Sequence, residues 1–518
     1  MSLVDLPPEL IANVVEILAA HDAKLANYAL ISNSWKHTVE SHTFSSLRIT
    51  SDDLDRFTDS VSKSHAHRRA ALRTIDFTVV LPTYDDDACA RFEREHERSI
   101  NNDAFTAAMQ HLFNALSSCE GVEKARPITL RIQNTYSPMD MDHRDAEKYS
   151  ADQSAFDMGQ RKDLWQHRYE HSFLKLQKAD TLPALNRVTS FSLFADSPRY
   201  IEPATSLAIV AKLPKLQSLR CELYDGERKF PATRTQQRQA FGSALDSHQL
   251  ATLQSIHLKY QHEAPFNERF VNADVRGESA PLSDSLSDGL RRFTQAQHIT
   301  KVTLDGPICI DASFFWSDRD SQTTTSWPNL KELYVTFSAV RPDGGWYFDR
   351  DPSVPPPDVI EDGAQDSEEE DYESDASDLG SEDSFFKQTE EPLYQFDETR
   401  ERRLTGVEPT YSYRASPTAE LEKLLEAAAR ASAQMSHLKT MAVGVDVQPS
   451  TRTNFEQQSF DFDFVSSGDS HWKDQGLEDA SQTRLYWTVP TGWRMSERLE
   501  SLWQQTIDQN GIVRYEEW

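Results

Sequence analysis

The chain has 518 residues, a formal net charge of −29 and four cysteines, Cys89, Cys119, Cys221 and Cys309, far apart and without a CxxC pair. Length predicts two to four domains with room for a large core. The acidity excludes a nucleic-acid backbone as the expected partner, and the isolated cysteines exclude a disulfide scaffold or a zinc ribbon. No apolar run approaches the roughly 20 residues that cross a bilayer. The start, MSLVDLPPEL, lacks a basic n-region, so no membrane association and a cytoplasmic or nuclear location are expected.

Three helices are predicted within residues 1–47. Pro7 and Pro8 suit a first helical turn, with Asp5 as its cap. In the helix that follows, Leu10, Ile11, Val14, Val15, Ile17 and Leu18 span an arc of roughly 160° at about 100° per residue. That is wider than the roughly 100° stripe of a helix facing one core. Asp22 is expected to cap a short second helix bearing Leu25, Tyr28 and Ala29. Ser32 or Asn33 caps a third with the stripe Ile31, Trp35 and Val39. Some 40 residues rarely fold stably alone. This segment has no cysteine and shows no metal-ligand spacing. Its surplus apolar arc must either cap the later chain or dock a partner.

Beyond it, β-rich runs recur at 73–81, 128–133, 188–194, 216–224, 253–260, 299–306, 330–337 and 438–445. Several follow a helix-like stretch and read L-x-x-L-x-L or close to it, as in LQSIHLKY and LKELYVTF. Helices alternating with strands predict an α/β fold with a parallel sheet. The leucine pattern predicts an irregular leucine-rich-repeat-like solenoid over 68–345, resumed in a C-terminal repeat and cap region at 410–518. From Leu216 through Leu253 and Ile299 to Leu330 the steps are 37, 46 and 31 residues. These exceed the roughly 20–29 of standard repeats, so a doubly wound α/β domain is the competing architecture.

Residues 350–403 read as a disordered acidic insert. Between Glu361 and Glu391 there are 14 Asp/Glu and one Lys, a local charge of −13 that leaves −16 for the rest. Ser367, followed by three glutamates, has the form of an acidophilic kinase site; the plainer reading is a self-repelling, solvated spacer.

Catalytic patterns carry little weight. His167, Glu170 and His171 form H-x-x-E-H. On a helix both histidines point away from the apolar stripe of Trp165, Tyr169 and Phe173, where no dry zinc cavity is expected. Ser172-x-x-Lys175 matches S-x-x-K, but Lys439-Thr440 lacks the glycine of K-T-G. There is no Walker A, G-x-G-x-x-G or G-x-S-x-G stretch. No catalysis, cofactor or metal is expected.

LPPELIANVVEIL followed by YALISNSW closely resembles the F-box: a Leu-Pro opening, Glu-Leu, an apolar helix and a Ser-x-x-Trp third helix. ESHTFSSLRIT resembles the junction that follows in fungal F-box proteins, and RLYWTVPTGWRMSERLESLW resembles a C-terminal region found among them. The resemblance implies an N-terminal module that binds a Skp1-like adaptor and a remainder that selects a protein substrate for a cullin ubiquitin ligase. By motif position, Leu6 and Pro7 would insert into the adaptor, and Leu10, Ile11 and Val14 would line the first-helix contact. Leu25, Ile31 and Trp35 would join that contact or support it from a small core. The alternative is a binding scaffold outside any ligase, with the N-terminal helices as a solenoid cap.

Overall fold

The computed structural model describes residues 6–21, 24–85, 88, 92–121, 126–140, 168–169, 172–194, 199–226, 230–247, 250–262, 265, 271–277, 284–317, 327–350, 414–447, 458–470, 474, 481–507 and 510–518. The acidic stretch with Ser367, the H-x-x-E-H histidines and Glu170, Asp5, Asp22 and Cys89 lie outside the described residues.

Twelve strands make one sheet: β1 (Ser46–Thr50), β2 (Thr74–Val80), β3 (Ile128–Tyr136), β4 (Val188–Leu193), β5 (Ser218–Tyr224), β6 (Ser255–Gln261), β7 (Lys301–Ile308), β8 (Glu332–Phe337), β9 (Thr440–Val447), β10 (Gln458–Val465), β11 (Arg484–Val489) and β12 (Ile512–Glu517). They lie side by side in chain order from one edge to the other. A doubly wound sheet needs a reversal of order at a switch point, and none occurs. Only β10 runs antiparallel to its neighbours. The helices are α1 (Pro8–Ala20), α2 (Asn33–Thr43), α3 (Leu54–Ser60), α4 (Ala66–Ala71), α5 (Glu95–Ser117), α6 (Pro203–Val210), α7 (Pro231–Ser247), α8 (Ser285–Thr294), α9 (Ala419–Ser432) and α10 (Glu497–Trp503). Among the described residues no helix is long and apolar enough to cross a membrane.

Pleating sends alternate side chains to opposite faces. In β2 and β6 to β9 every second residue is buried, and the residues between them are half-buried or exposed. Register joins the buried positions into continuous rows. One begins Ile49, Phe77, Ile132, Leu193, Cys221, Leu258 and continues through Leu304, Val335 and Val443 to Phe462 and Trp487. A leucine-like anchor two residues ahead of the strand is buried as well at β5 to β8, as Leu216, Leu253, Ile299 and Leu330. Its turn also feeds the ladder: Gln254 N donates to Gln217 O at 2.8 Å, Thr300 N to Gln254 O at 2.9 Å and Lys331 N to Thr300 O at 2.8 Å.

Residues 68–345 and 410–518 therefore share one sheet and one core, because β8 pairs directly with β9. The flanks of the acidic stretch meet: Phe348–Arg350 pairs antiparallel with Arg414–Pro417. A long excursion can start and finish at such a joint without disturbing the main sheet, since closing a longer loop adds little entropy cost.

Helix packing is tightest where α7 crosses α8. A methyl on Gly289 would lie 2.7 Å from Gly242 O, and one on Gly242 would lie 2.6 Å from Ser285 O. Backbone rests on backbone there, so no side chain can move aside. Gly289→Ala is expected to cost about 1–3 kcal/mol through overpacking, read as a lowered urea midpoint at unchanged slope.

Four buried charges lock the same corner. Arg234 holds Asp225 in a two-point contact of 2.7 and 2.9 Å. Arg238 bridges Asp225 at 2.7 Å and Asp284 at 2.8 Å, and also donates to Cys309 O at 2.8 Å. Two cations balance two anions, which such a dry position requires. Asp284 also caps α8 by accepting from Ser287 N at 2.9 Å.

Beside this group, Asp311 is pushed up to about 6 from 3.8, first by burial and then by the charge of Asp284. A carboxyl raised in the folded state adds stability that is complete below 3.8 and lost as pH rises through about 6. Asp311→Asn can keep the acceptor that Ser313 N uses at 2.9 Å while removing the charge. Its stability relative to the wild type should therefore rise between about pH 4 and about pH 7. Urea midpoints at both values check this.

Candidate docking surface

Residues 6–43 build a small unit with its own core. Ile11 and Val15 of α1 and Trp35 and Val39 of α2 are buried together, in a cluster separate from the sheet's core. Leu6, Val14, Leu18, Leu25, Tyr28, Ala29 and Ile31 are partly buried around it. Pro8 occupies the first position of α1, where a missing N–H costs nothing. Pro7 stands at the cap position and makes no side-chain cap, so the helix starts on proline geometry rather than on an acidic cap. The second predicted helix is a 3-10 turn, Leu25–Leu30, preceded by Lys24 without a cap bond. Ser32 caps α2, accepting from Trp35 N at 3.4 Å. The indole of Trp35 stacks on Tyr28 with ring centres 6.1 Å apart, tying α2 to the turn.

The wide arc on α1 divides in two. Ile11, Val15 and Leu18 face the small core; Ile11 is fully buried. Leu10 and Ile17 remain 47% and 60% exposed, with half-buried Val14 about 40° from Leu10 on the wheel, toward the core. Leu30, at the end of the 3-10 turn, is 86% exposed. Helix packing of 38 residues can satisfy only one side of a helix this apolar. The outer side faces water.

This arrangement sorts the sequence-predicted residues. Leu10 and Pro7 are exposed and Leu6, Val14, Leu25 and Ile31 are half-buried at the surface. Ile11, expected to line the first-helix contact, is fully buried in the small core of the free chain. Trp35, 1% exposed, likewise acts from the core. Ile17 and Leu30 are exposed apolar residues that the sequence alone did not place on the candidate surface. The signal for Ile17 was its place seven residues after Leu10, two turns along the same side. The outer side of α1 takes no part in the sheet's core.

The unit meets the rest of the chain through charge. Glu40 of α2 accepts from Arg68 Nη2 of α4 at 2.7 Å and contacts His67 Nε2. The Arg68 hydrogen bond, against the opposing effect of burial, holds the Glu40 carboxyl down at about 2. Arg68 also lies 4.8 Å over the Phe44 ring. α2 is thereby tied to the start of the sheet without merging the two cores.

Elsewhere among the described residues, several groups with catalytic chemistry have structural surroundings or partners. Burial pushes the Cys221 thiol up to about 12, the Cys309 thiol up to about 11 and the Cys119 thiol upward, so these thiols stay protonated and unreactive. Ser172 Oγ donates to Glu93, while Lys175 pairs with Glu202 at 2.9 Å, so this Ser and Lys do not form a nucleophile and base. A cavity of about 20 Å³ behind the sheet, lined by Leu207, Phe241, Leu258 and Phe293 among others, has room for little more than one water. No family model, curated protein or solved structure matches the chain.

Truncating the two sides of α1 should have different effects. Ile11→Ala should cost about 2–4 kcal/mol of local stability and speed amide exchange throughout α1 and α2. Leu10→Ala should change that protection by less than about 0.5 kcal/mol. Hydrogen exchange read by mass spectrometry on the full chain separates the two.

Proposed function

We propose that the chain is an F-box-type substrate receptor of a Skp1–cullin–F-box ubiquitin ligase. Residues 6–43 act as the adaptor-docking module, and the sheet acts as an irregular leucine-rich-repeat-like solenoid that presents a protein substrate. One observation carries the docking assignment: α1 buries half of its apolar arc in a private core and leaves Leu10 and Ile17 in water. Each anchor of that size contributes about 1.5–3 kcal/mol when an adaptor covers it, before ordering costs. Chain-ordered strands, with buried anchors at Leu216, Leu253, Ile299 and Leu330 despite irregular spacing, support the solenoid assignment.

On this reading the protein makes or breaks no bond. It raises the local concentration of a substrate lysine at the ligase's charged conjugating enzyme, in the cytoplasm or nucleus. The exposed positions allow a test that spares the fold. Full-length protein is mixed with purified Skp1 and tested for co-elution. Leu10→Glu with Ile17→Glu should lose capture more than tenfold at an unchanged melting temperature. Capture at the wild-type level by this double variant would overturn the assignment, and a wild type that captures no Skp1 would leave a scaffold outside any ligase.

A further inference from the structure

The joint between α2 and α4 holds more donor atoms than an ion pair needs. His37 and Glu40 stand three residues apart on one side of α2, and His67 comes across from the first turn of α4. Each offers one ligand atom, and these atoms lie within 4.8 Å of one another. The His37 and His67 rings meet edge to face, centres 4.9 Å apart at 88°. We propose that His37, Glu40 and His67 bind a Zn²⁺-class cation with one position left to water, clamping α2 to α4.

The donor set selects the ion class. Two imidazoles and one carboxylate suit Zn²⁺ and its late first-row neighbours, whereas Mg²⁺ and Ca²⁺ need mostly oxygen ligands. Tetrahedral zinc with bonds of about 2.0–2.2 Å places its ligand atoms about 3.4 Å apart, so closing from 4.8 Å asks for side-chain rotation alone. The carboxylate is divided between two tasks. Arg68 occupies Oε1 and turns Oε2 toward the imidazoles, the orienting role that outer hydrogen bonds play around metal ligands. Arg68 is fixed in turn by Ser60 O at 3.3 Å and by the Phe44 ring. The Glu40 side chain is 12% exposed and the His67 side chain 33%, so the site is sheltered yet open to an entering ion. A third histidine, His65, meets His67 edge to face with ring centres 6.4 Å apart, but its Nδ1 is engaged by the hydroxyls of Ser62 and Ser64 at 3.2 and 3.1 Å.

Full-length protein, stripped with chelator and dialysed, is titrated with zinc chloride by calorimetry and melted with and without zinc. The expected result is one saturable ion per chain and a melting temperature raised by about 2 °C or more at saturation. His37→Ala touches an exposed side chain and should fold as the wild type does, yet bind zinc about 10–100-fold more weakly and lose the thermal shift. His67→Ala should do the same, and His298→Ala, at an exposed histidine far along the chain, should change nothing. The absence of saturable zinc binding in the wild type, or wild-type affinity in both His37→Ala and His67→Ala, would overturn the site.

Discussion

The structure rests on one constraint: no strand-and-helix unit here can bury its apolar face by itself. From β5 to β9 each strand contributes three or four inward side chains, and those become core only when the next strand extends the row. Lateral growth in chain order is the simplest answer, because every new unit needs only its predecessor. The same constraint explains how irregular spacing is tolerated. Steps of 37, 46 and 31 residues alter what lies between strands, while each strand still begins with a buried anchor and the same register.

Strand order also decides where strong polar devices are needed. Where α7 and α8 approach through Gly242 and Gly289, close backbone contact leaves no side-chain buffer. The Asp225, Arg234, Arg238 and Asp284 cluster fixes the ends of those helices by charge instead. Buried pairs of this kind add little net stability compared with well-packed apolar residues, but they penalise alternative packings in which one charge loses its partner. A corner built that way favours a single arrangement.

The sheet was legible from period and anchors. All eight β-rich runs named from sequence became strands, because an alternating apolar pattern at a leucine anchor has few other ways to be buried. β1, β10, β11 and β12 were missed. QSFDFDFV alternates Phe460, Phe462 and Phe464 with Asp461 and Asp463, and acidic residues in a strand weaken that signal. RLYWTV buries nearly every residue, so it shows no alternation at all. The docking helices were legible as helices and as an oversized apolar arc. Which half of that arc faces inward was not, since a wheel orders residues around an axis and cannot say where the second helix will lie. Ile11 and Leu10 are neighbours in sequence and opposite in fate. His67 could not be grouped with His37 and Glu40 from spacing alone, because only the turn through β1 and α3 brings α4 beside α2.

The separation of two cores matters mechanically. A docking unit fused into the sheet's core would have its outer helix side covered, and one joined by a bare linker would sample many orientations. The joint seen here lies between these limits. Glu40, Arg68 and His67 supply short, charge-assisted contacts at one point, and the backbone passes straight from α2 into edge strand β1. Under the proposed receptor function, proximity between substrate and ligase would depend on limiting the volume that the substrate explores, because effective concentration falls steeply as a connection loosens. A sheet that follows directly on α2 through a partly buried ionic joint would limit that volume while leaving Leu10 and Ile17 exposed. Glu40, Phe44, His67 and Arg68 form this joint by direct contact, so α2 is held to the start of the sheet by more than the backbone connection.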